Sequence, residues 1–429
     1  MTRDAPDAES AYAWWRLVVS LALMTLGGVG MYGVTVVLPP IQAEFGVARG
    51  DASLPYTLTM IGFGLGGVLM GRLSDRFGVM VPVMGGAIGL GLGFIAAGSS
   101  ASLWQFSVAQ GLLIGLLGTS ATFAPLVADT SRWFTRRRGI ALAICMSGNY
   151  LAGALWPPVI QHFIDSVGWR QTYIGIGVFC LALMLPLALV LRRRPPAMPG
   201  AEPVTTAPLV KPLAASTERP LGLSPGTLQL LLCVAGVSCC VAMSMPQVHI
   251  VAYCTDLGFG AARGAEMLSI MLGMGIASRL ISGWISDHIG GLRTLLLGSV
   301  LQTVALLMFL PFDGLVPLYL ISGLFGLFQG GIVPSYALIV REHFSPLQAG
   351  ARVGTVLMAT MFGMALGGWM SGAIFDLTGS YQAAFINGIG FNLLNVGIVV
   401  FLLRRARRSG IGLGRVAQAG MVNTVSTPV

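Results

Sequence analysis

Twelve separate runs of roughly 20 apolar residues dominate this chain, and each is long enough to cross a bilayer as a helix. They fall near 17–38, 53–73, 79–99, 103–127, 139–164, 170–191, 227–254, 265–285, 293–311, 314–340, 353–375 and 383–403. In hydrocarbon every backbone N–H and C=O needs a partner, and a helix supplies one within the segment itself. Only 10% of residues are charged, against about 25% in soluble domains. Mean hydropathy is +0.80. The expected fold class is an all-α membrane protein of twelve transmembrane helices. The first run is too long for a signal-peptide core and ends in Pro39-Pro40, so it reads as the first span.

Between the sixth and seventh runs the composition changes. Residues 195–225 hold eight prolines and cannot build a core. This divides the chain into an N-terminal six-helix bundle at 1–194, a linker loop at 195–225, a C-terminal six-helix bundle at 226–405 and a tail at 406–429. Both termini then lie on one side with the linker. That side receives 21 of the 25 Lys and Arg residues, while Arg49, Arg170 and Arg263 fall on the other. Cations are retained in cytoplasmic loops, so both termini, the linker and the tail are expected in the cytoplasm of a bacterial-type inner membrane. The same bias explains the net charge of +9 without nucleic acid as a partner. The bilayer, a small organic anion and protons are the expected partners, and the chain is expected to be a monomer.

Six cysteines lie in or beside apolar runs with no C-x-x-C spacing. They read as packing residues rather than a disulfide frame or zinc site. Four scattered histidines offer no metal spacing and no nucleophile–base pair. No metal, cofactor or enzyme chemistry is expected. GFGLGG at 62–67 lies inside a span with no strand before it, so it is not a nucleotide loop.

One polar octet is written twice: GRLSDRFG at 71–78 and GWISDHIG at 283–290. A second pair, Asp165-x-x-Gly168-x-x-Gln171 and Asp376-x-x-Gly379-x-x-Gln382, recurs at nearly the same offset. Two marker pairs at one offset indicate two homologous halves in the same orientation. Transporters built this way hold their site near the bilayer midplane between the halves. The octets resemble the loop signatures of the major facilitator superfamily. Gly71, Asp75, Arg76 and Gly78 match in the first copy, and Gly283, Asp287 and Gly290 in the second. Val79 and Met80 replace the usual basic pair. The resemblance implies two pseudo-symmetric six-helix bundles. It also implies that the octets latch the outward-open state. Asp75 would meet the start of the eleventh span near Arg352–Gly354, and Asp287 the start of the fifth near Arg138–Gly139. An anion is favoured at such helix N-termini.

One cation is out of place. Arg279 sits well inside the eighth run, where an arginine costs about 2.5–3.5 kcal/mol on insertion scales. Glu44, Asp129, Asp165, Asp256, Glu266 and Asp376 all fall at span ends, so no carboxylate stands opposite it. A cation of this kind suits a substrate anion, because a guanidinium binds a carboxylate through two parallel hydrogen bonds. Snorkelling is the competing reading: Asp287 lies eight residues further on, about 12 Å along a helix. The surroundings, MSMPQVHIVAYCTDLG in the seventh run and SGNYLAGALWPPVI in the fifth, resemble the monocarboxylate transporter and oxalate–formate exchanger branch. In that branch the arginine of the eighth span binds the substrate carboxylate, which carries over to Arg279. Animal members place an Asp one turn earlier, where this chain has Gly275, and a Lys in the first span, where it has Tyr32. The second cation of oxalate exchangers, in the eleventh span, is missing.

Further candidates for substrate contact are His249, Tyr32, Asn149, Tyr150 and Tyr336, the last following Pro334 where a kink would open backbone groups to a cavity. Gly62, Gly64, Gly66, Gly67, Gly363, Gly367 and Gly368 would let helices approach closely. The expected function is proton-coupled carriage of a small monocarboxylate by alternating access. Organic-anion exchange or drug efflux is the alternative, and a transporter-like sensor a remote one.

Overall fold

The computed structural model describes residues 9–134, 137–193 and 220–408. Twelve helices are long and apolar enough to cross a membrane. In the first half they are α1 (Ala11–Val36), α2 (Arg49–Phe77), α3 (Met80–Gly98), α4 (Leu103–Trp133), α5 (Arg138–Val167) and α6 (Trp169–Val190). In the second half they are α7 (Pro225–Asp256), α8 (Ala261–Ile289), α9 (Gly291–Met308), α10 (Leu315–His343), α11 (Gln348–Thr378) and α12 (Tyr381–Arg408). The described residues contain no strand. Every expected span is matched by one helix, and most helices run several residues past the apolar core. His162 lies near the end of α5, and the longer α8 and α10 take in His288 and His343, so all four histidines, His249 in α7 included, stand in helices. His249 is the one fully buried histidine. Most of the linker and of the tail lies outside the described residues.

The octets form the sharp joints between α2 and α3 and between α8 and α9. Gly78 (φ 84°, ψ 163°) and Gly290 (φ 82°, ψ 163°) adopt almost the same conformation. Only glycine occupies that region without strain. In each copy its N–H closes the preceding helix on a serine carbonyl, Ser74 or Ser286, at 2.9 Å. The repeated text is thus a repeated structural joint. Within α2, Gly62 and Gly66 press on α4: a Cβ built on either would lie 2.2 Å from a backbone oxygen, of Gly111 or Leu116.

A charge pair is buried inside the N-terminal half. Arg16 of α1 and Asp129 of α4 are 2% and 5% exposed. They meet through two parallel bonds, Nε to Oδ2 at 2.8 Å and Nη2 to Oδ1 at 3.0 Å. The guanidinium also stands 4.9 Å from the Trp133 ring. Sequence placement at a span end concealed this pair. Removing one member strands a buried charge, which costs about 3–5 kcal/mol. We expect Arg16→Met to lower the thermal denaturation temperature of the purified protein markedly. The double variant Arg16→Met/Asp129→Leu should recover most of the loss.

Candidate functional site

A central cavity of about 390 Å³ lies between the halves, and its lining extends to Gly67 and Val68 of α2, one turn before the first octet, and to Gly354 of α11. Its walls come from α1, α2, α4 and α5 on one side and from α7, α8, α10 and α11 on the other. Four of the expected contact residues, Tyr32, Asn149, Tyr150 and Arg279, line it together. Arg279 is the only charged residue among the described lining residues. Its guanidinium carbon stands 4.5 Å from the centroid of the Tyr150 ring. It makes one long hydrogen bond, Nη1 to the Met146 carbonyl at 3.5 Å, and its buried Nε has no partner. Asn149 Oδ1 is likewise buried without a partner. No salt bridge to Arg279 occurs among the described residues. The arginine is therefore held by an aromatic face and a backbone oxygen, with donor capacity to spare.

The replacement at Gly275 has a visible consequence. A Cβ built on Gly275 would lie 2.3 Å from Cε1 of Tyr150. The tyrosine ring occupies the space into which a side chain at 275 would project. Where the resemblance implies a carboxylate one turn before the arginine, this chain packs an aromatic ring. Cation–π contact fixes the guanidinium without neutralising it.

Two expected residues lie elsewhere. Tyr336 is fully buried, and its hydroxyl donates to Asn395 Oδ1 at 2.9 Å. The helix is interrupted at Gly330–Gly331, just before Pro334, and it is Val333 and Pro334 that reach the cavity. His249 is fully buried below the cavity, in the contact that closes the opposite face. Its Nε2 bonds the Gly368 carbonyl at 2.8 Å, and its Nδ1 the Tyr381 hydroxyl at 3.1 Å. The carbonyl must accept, so Nε2 carries the proton, and the neutral tautomer satisfies both bonds.

That closure was not read from the sequence as a site. Asp376 of α11 accepts from the backbone N–H groups of Arg49 (2.8 Å) and Gly50 (2.7 Å), capping the first turn of α2 across the two halves. The Arg49 side chain bonds Asp256 of α7, and donates to the Tyr381 hydroxyl at 3.0 Å and to Gln42 at 3.0 Å. It also lies 4.2 Å from the Phe375 ring centroid. Thr57 reaches across to the Ala365 carbonyl at 3.0 Å. The segment supplying Gln42 is anchored by Glu44, which accepts from Arg170 (2.6 Å) and Trp169 (2.5 Å). Burial pushes the Glu44 carboxyl up, but these bonds outweigh it and hold the pKa below the usual carboxylate range. The available signal was Asp376 itself, which stood out in the repeated motif. Its counterpart Asp165 is exposed and pairs with Gln161 of its own helix at 2.7 Å.

At the octet face the bonds of the described residues stay within each half. Asp75 is exposed and pairs with Arg132 of its own half at 3.2 Å. Asp287 and His288 are exposed, and Arg76 lies over the neighbouring Phe77 ring. A Cβ on Gly71, Gly139, Gly283 or Gly354 would meet nothing within 4 Å. The described octet residues make no hydrogen bond or ion pair to their expected partners, while Asp376, Arg49 and Thr57 bond across the halves at the opposite face.

Residues 19–324 and 280–423 match the Major Facilitator Superfamily. The chain belongs to this superfamily. Within it, monocarboxylate transporter 11 of Homo sapiens is 30% identical over 405 residues, covering 87% of this chain and 79% of the relative. Monocarboxylate transporter 13 of Bos taurus is 28% identical over 338 residues, covering 77% and 75%. These likenesses place it in the monocarboxylate transporter branch of the superfamily, a group of transporters and not of enzymes. A solved bacterial homologue of the human lysosomal transporter Spinster, in an inward-facing and unoccupied conformation, has the same fold. Its TM-score is 0.65 at 16% identity, covering 93% of this chain and 96% of that one.

The seal predicts a change in access. With the native cysteines replaced by serine, a cysteine at position 364 lies in the cavity wall. We expect Asp376→Ala to raise its labelling by an impermeant maleimide applied from the sealed side at least about tenfold, by removing two charge-assisted bonds. The same variant should lower labelling from the octet side.

Proposed function

We propose that the chain carries a small organic monocarboxylate anion across a membrane by alternating access, in symport with a proton. The observation that supports this most is Arg279, the one charged residue among the described lining residues of a cavity shared by both halves, with hydrogen-bonding capacity unused. Its planar fork matches a carboxylate. Asn149, Tyr32 and Tyr150 beside it suit the polar groups next to the carboxylate. One cation suits one carboxylate, which disfavours dicarboxylate exchange. The names of the curated relatives support the same substrate class.

In this reading the structure is the inward-facing state. The arginine-rich face is cytoplasmic by the positive-inside rule, as in a bacterial-type inner membrane. The octets Gly71–Gly78 and Gly283–Gly290 are disengaged latches that close when the Arg49–Asp376 seal opens. Proton coupling balances the charge of the anion. His249 is the proposed proton-responsive group, because it bonds Tyr381, whose hydroxyl also accepts from Arg49 inside the seal that must break.

Uptake into proteoliposomes tests the reading. Arg279→Gln should lose about 1.5–3 kcal/mol of charge-assisted binding, a factor of roughly 10–150 in apparent affinity. Arg279→Lys, which keeps the charge but not the fork, should fall between the two. An imposed inward proton gradient should raise the initial rate in the wild type. Uptake that ignores the gradient but responds to internal substrate would instead establish exchange.

A further inference from the structure

The cavity walls say more about the substrate than the arginine does. Seven methionines line the cavity: Met31, Met60 and Met146 from the N-terminal half, and Met243, Met358, Met361 and Met364 from the C-terminal half. Phe63, Phe123 and Leu272 fill between them, and the polar groups nearest the cation, Asn149, Tyr32 and Tyr150, come from α1 and α5. The chain holds 21 methionines in all, so a third of them converge on this one space. Methionine side chains are unbranched and polarisable. They repack around apolar groups of varied shape and make favourable sulfur–aromatic contacts. A wall of this kind gives little hydrogen bonding to a polar molecule.

The volume points the same way. About 390 Å³ falls within the roughly 300–1,000 Å³ of pockets that hold drug-sized ligands, with room beyond a lactate-sized acid seated on Arg279. The methionines come from both halves, so they stay around the substrate when the cavity changes the face to which it opens. They come from α1, α2, α5, α7 and α11, five of the eight helices that line the cavity.

We propose that the substrate is an amphipathic monocarboxylate with a bulky apolar tail, aryl or branched alkyl, rather than a short hydroxy or keto acid. This deepens the reading above and rests on Arg279 as the carboxylate seat. The carboxylate sits on Arg279 and the tail lies among Met358, Met361, Met364 and Phe63. Each methylene of the tail withdrawn from water contributes roughly fourfold to affinity.

The test uses acids that share a head and differ in tail: lactate against 3-phenyllactate, and pyruvate against 4-methyl-2-oxopentanoate and phenylpyruvate. Saturable uptake by the full chain in proteoliposomes is measured after subtracting the signal from Arg279→Gln vesicles. The expected result is an apparent KM at least tenfold lower for each bulky acid than for its short partner. The paired variant Met358→Ser/Met361→Ser should raise KM for 3-phenyllactate at least about fivefold and leave lactate within twofold. Met361→Leu, which conserves volume and apolarity, should stay close to the wild type. Equal or lower KM for the short acids, with uptake still lost in Arg279→Gln, would overturn the tail assignment while leaving the carboxylate seat standing. Uptake of every acid undiminished in Arg279→Gln, or of none in the wild type, would overturn the seat and the tail assignment with it.

Discussion

A permanently charged guanidinium set inside a membrane bundle needs partners, and the rest of the site is arranged around that need. Arg279 lies against the Tyr150 ring and under one backbone carbonyl. A carboxylate one turn away would neutralise it and compete with an incoming anion. Gly275 removes that carboxylate, and Tyr150 fills the space. The cation is therefore positioned without being neutralised, and the cavity retains a positive centre within apolar walls. In such surroundings an ion pair is stronger than in water, and an uncompensated charge is correspondingly costly. Both facts favour an anion that arrives with its own apolar cover.

The two ends of the bundle contrast. At the sealed face, carboxylates and an arginine from both halves are interlocked: Asp376 on the first turn of α2, and Arg49 on Asp256 and Tyr381. At the octet face, the equivalent carboxylate Asp75 bonds only within its own half. In the proposed cycle Asp75 would take up the role Asp376 has here, an anion at a helix N-terminus of the other half, when the Asp376 contact releases. The N-terminal half also carries the buried Arg16–Asp129 pair, which ties α1 to α4.

Much of the fold was legible because bilayer physics leaves few choices. Twelve apolar runs became twelve helices, and the repeated octets became two nearly identical glycine joints at Gly78 and Gly290. The central cation was legible for the same reason: an arginine in an apolar run stands out. Three of its proposed neighbours, Tyr32, Asn149 and Tyr150, converged with it on one cavity because α1, α5 and α8 bring them together. Tyr336 and His249 did not, since a polar side chain in a span satisfies itself wherever packing allows. Tyr336 found Asn395, and His249 found Tyr381 and Gly368. The seal at Arg49 was hidden because its members lie hundreds of positions apart and each looks like an ordinary span end. The methionine wall was hidden for a different reason: in a chain this apolar, one more methionine carries no contrast until the helices are assembled.

The central claim is that this cavity selects for a single negative charge on its ligand. Its most direct test deletes the charge from the ligand and leaves the protein intact. Isothermal titration of the purified wild-type chain with 3-phenyllactate and with its uncharged amide compares two ligands of nearly equal shape. The account predicts that the acid binds at least tenfold more tightly than the amide. Equal affinities would contradict it, and Arg279 would then be a structural cation whose neighbours satisfy it without any anion.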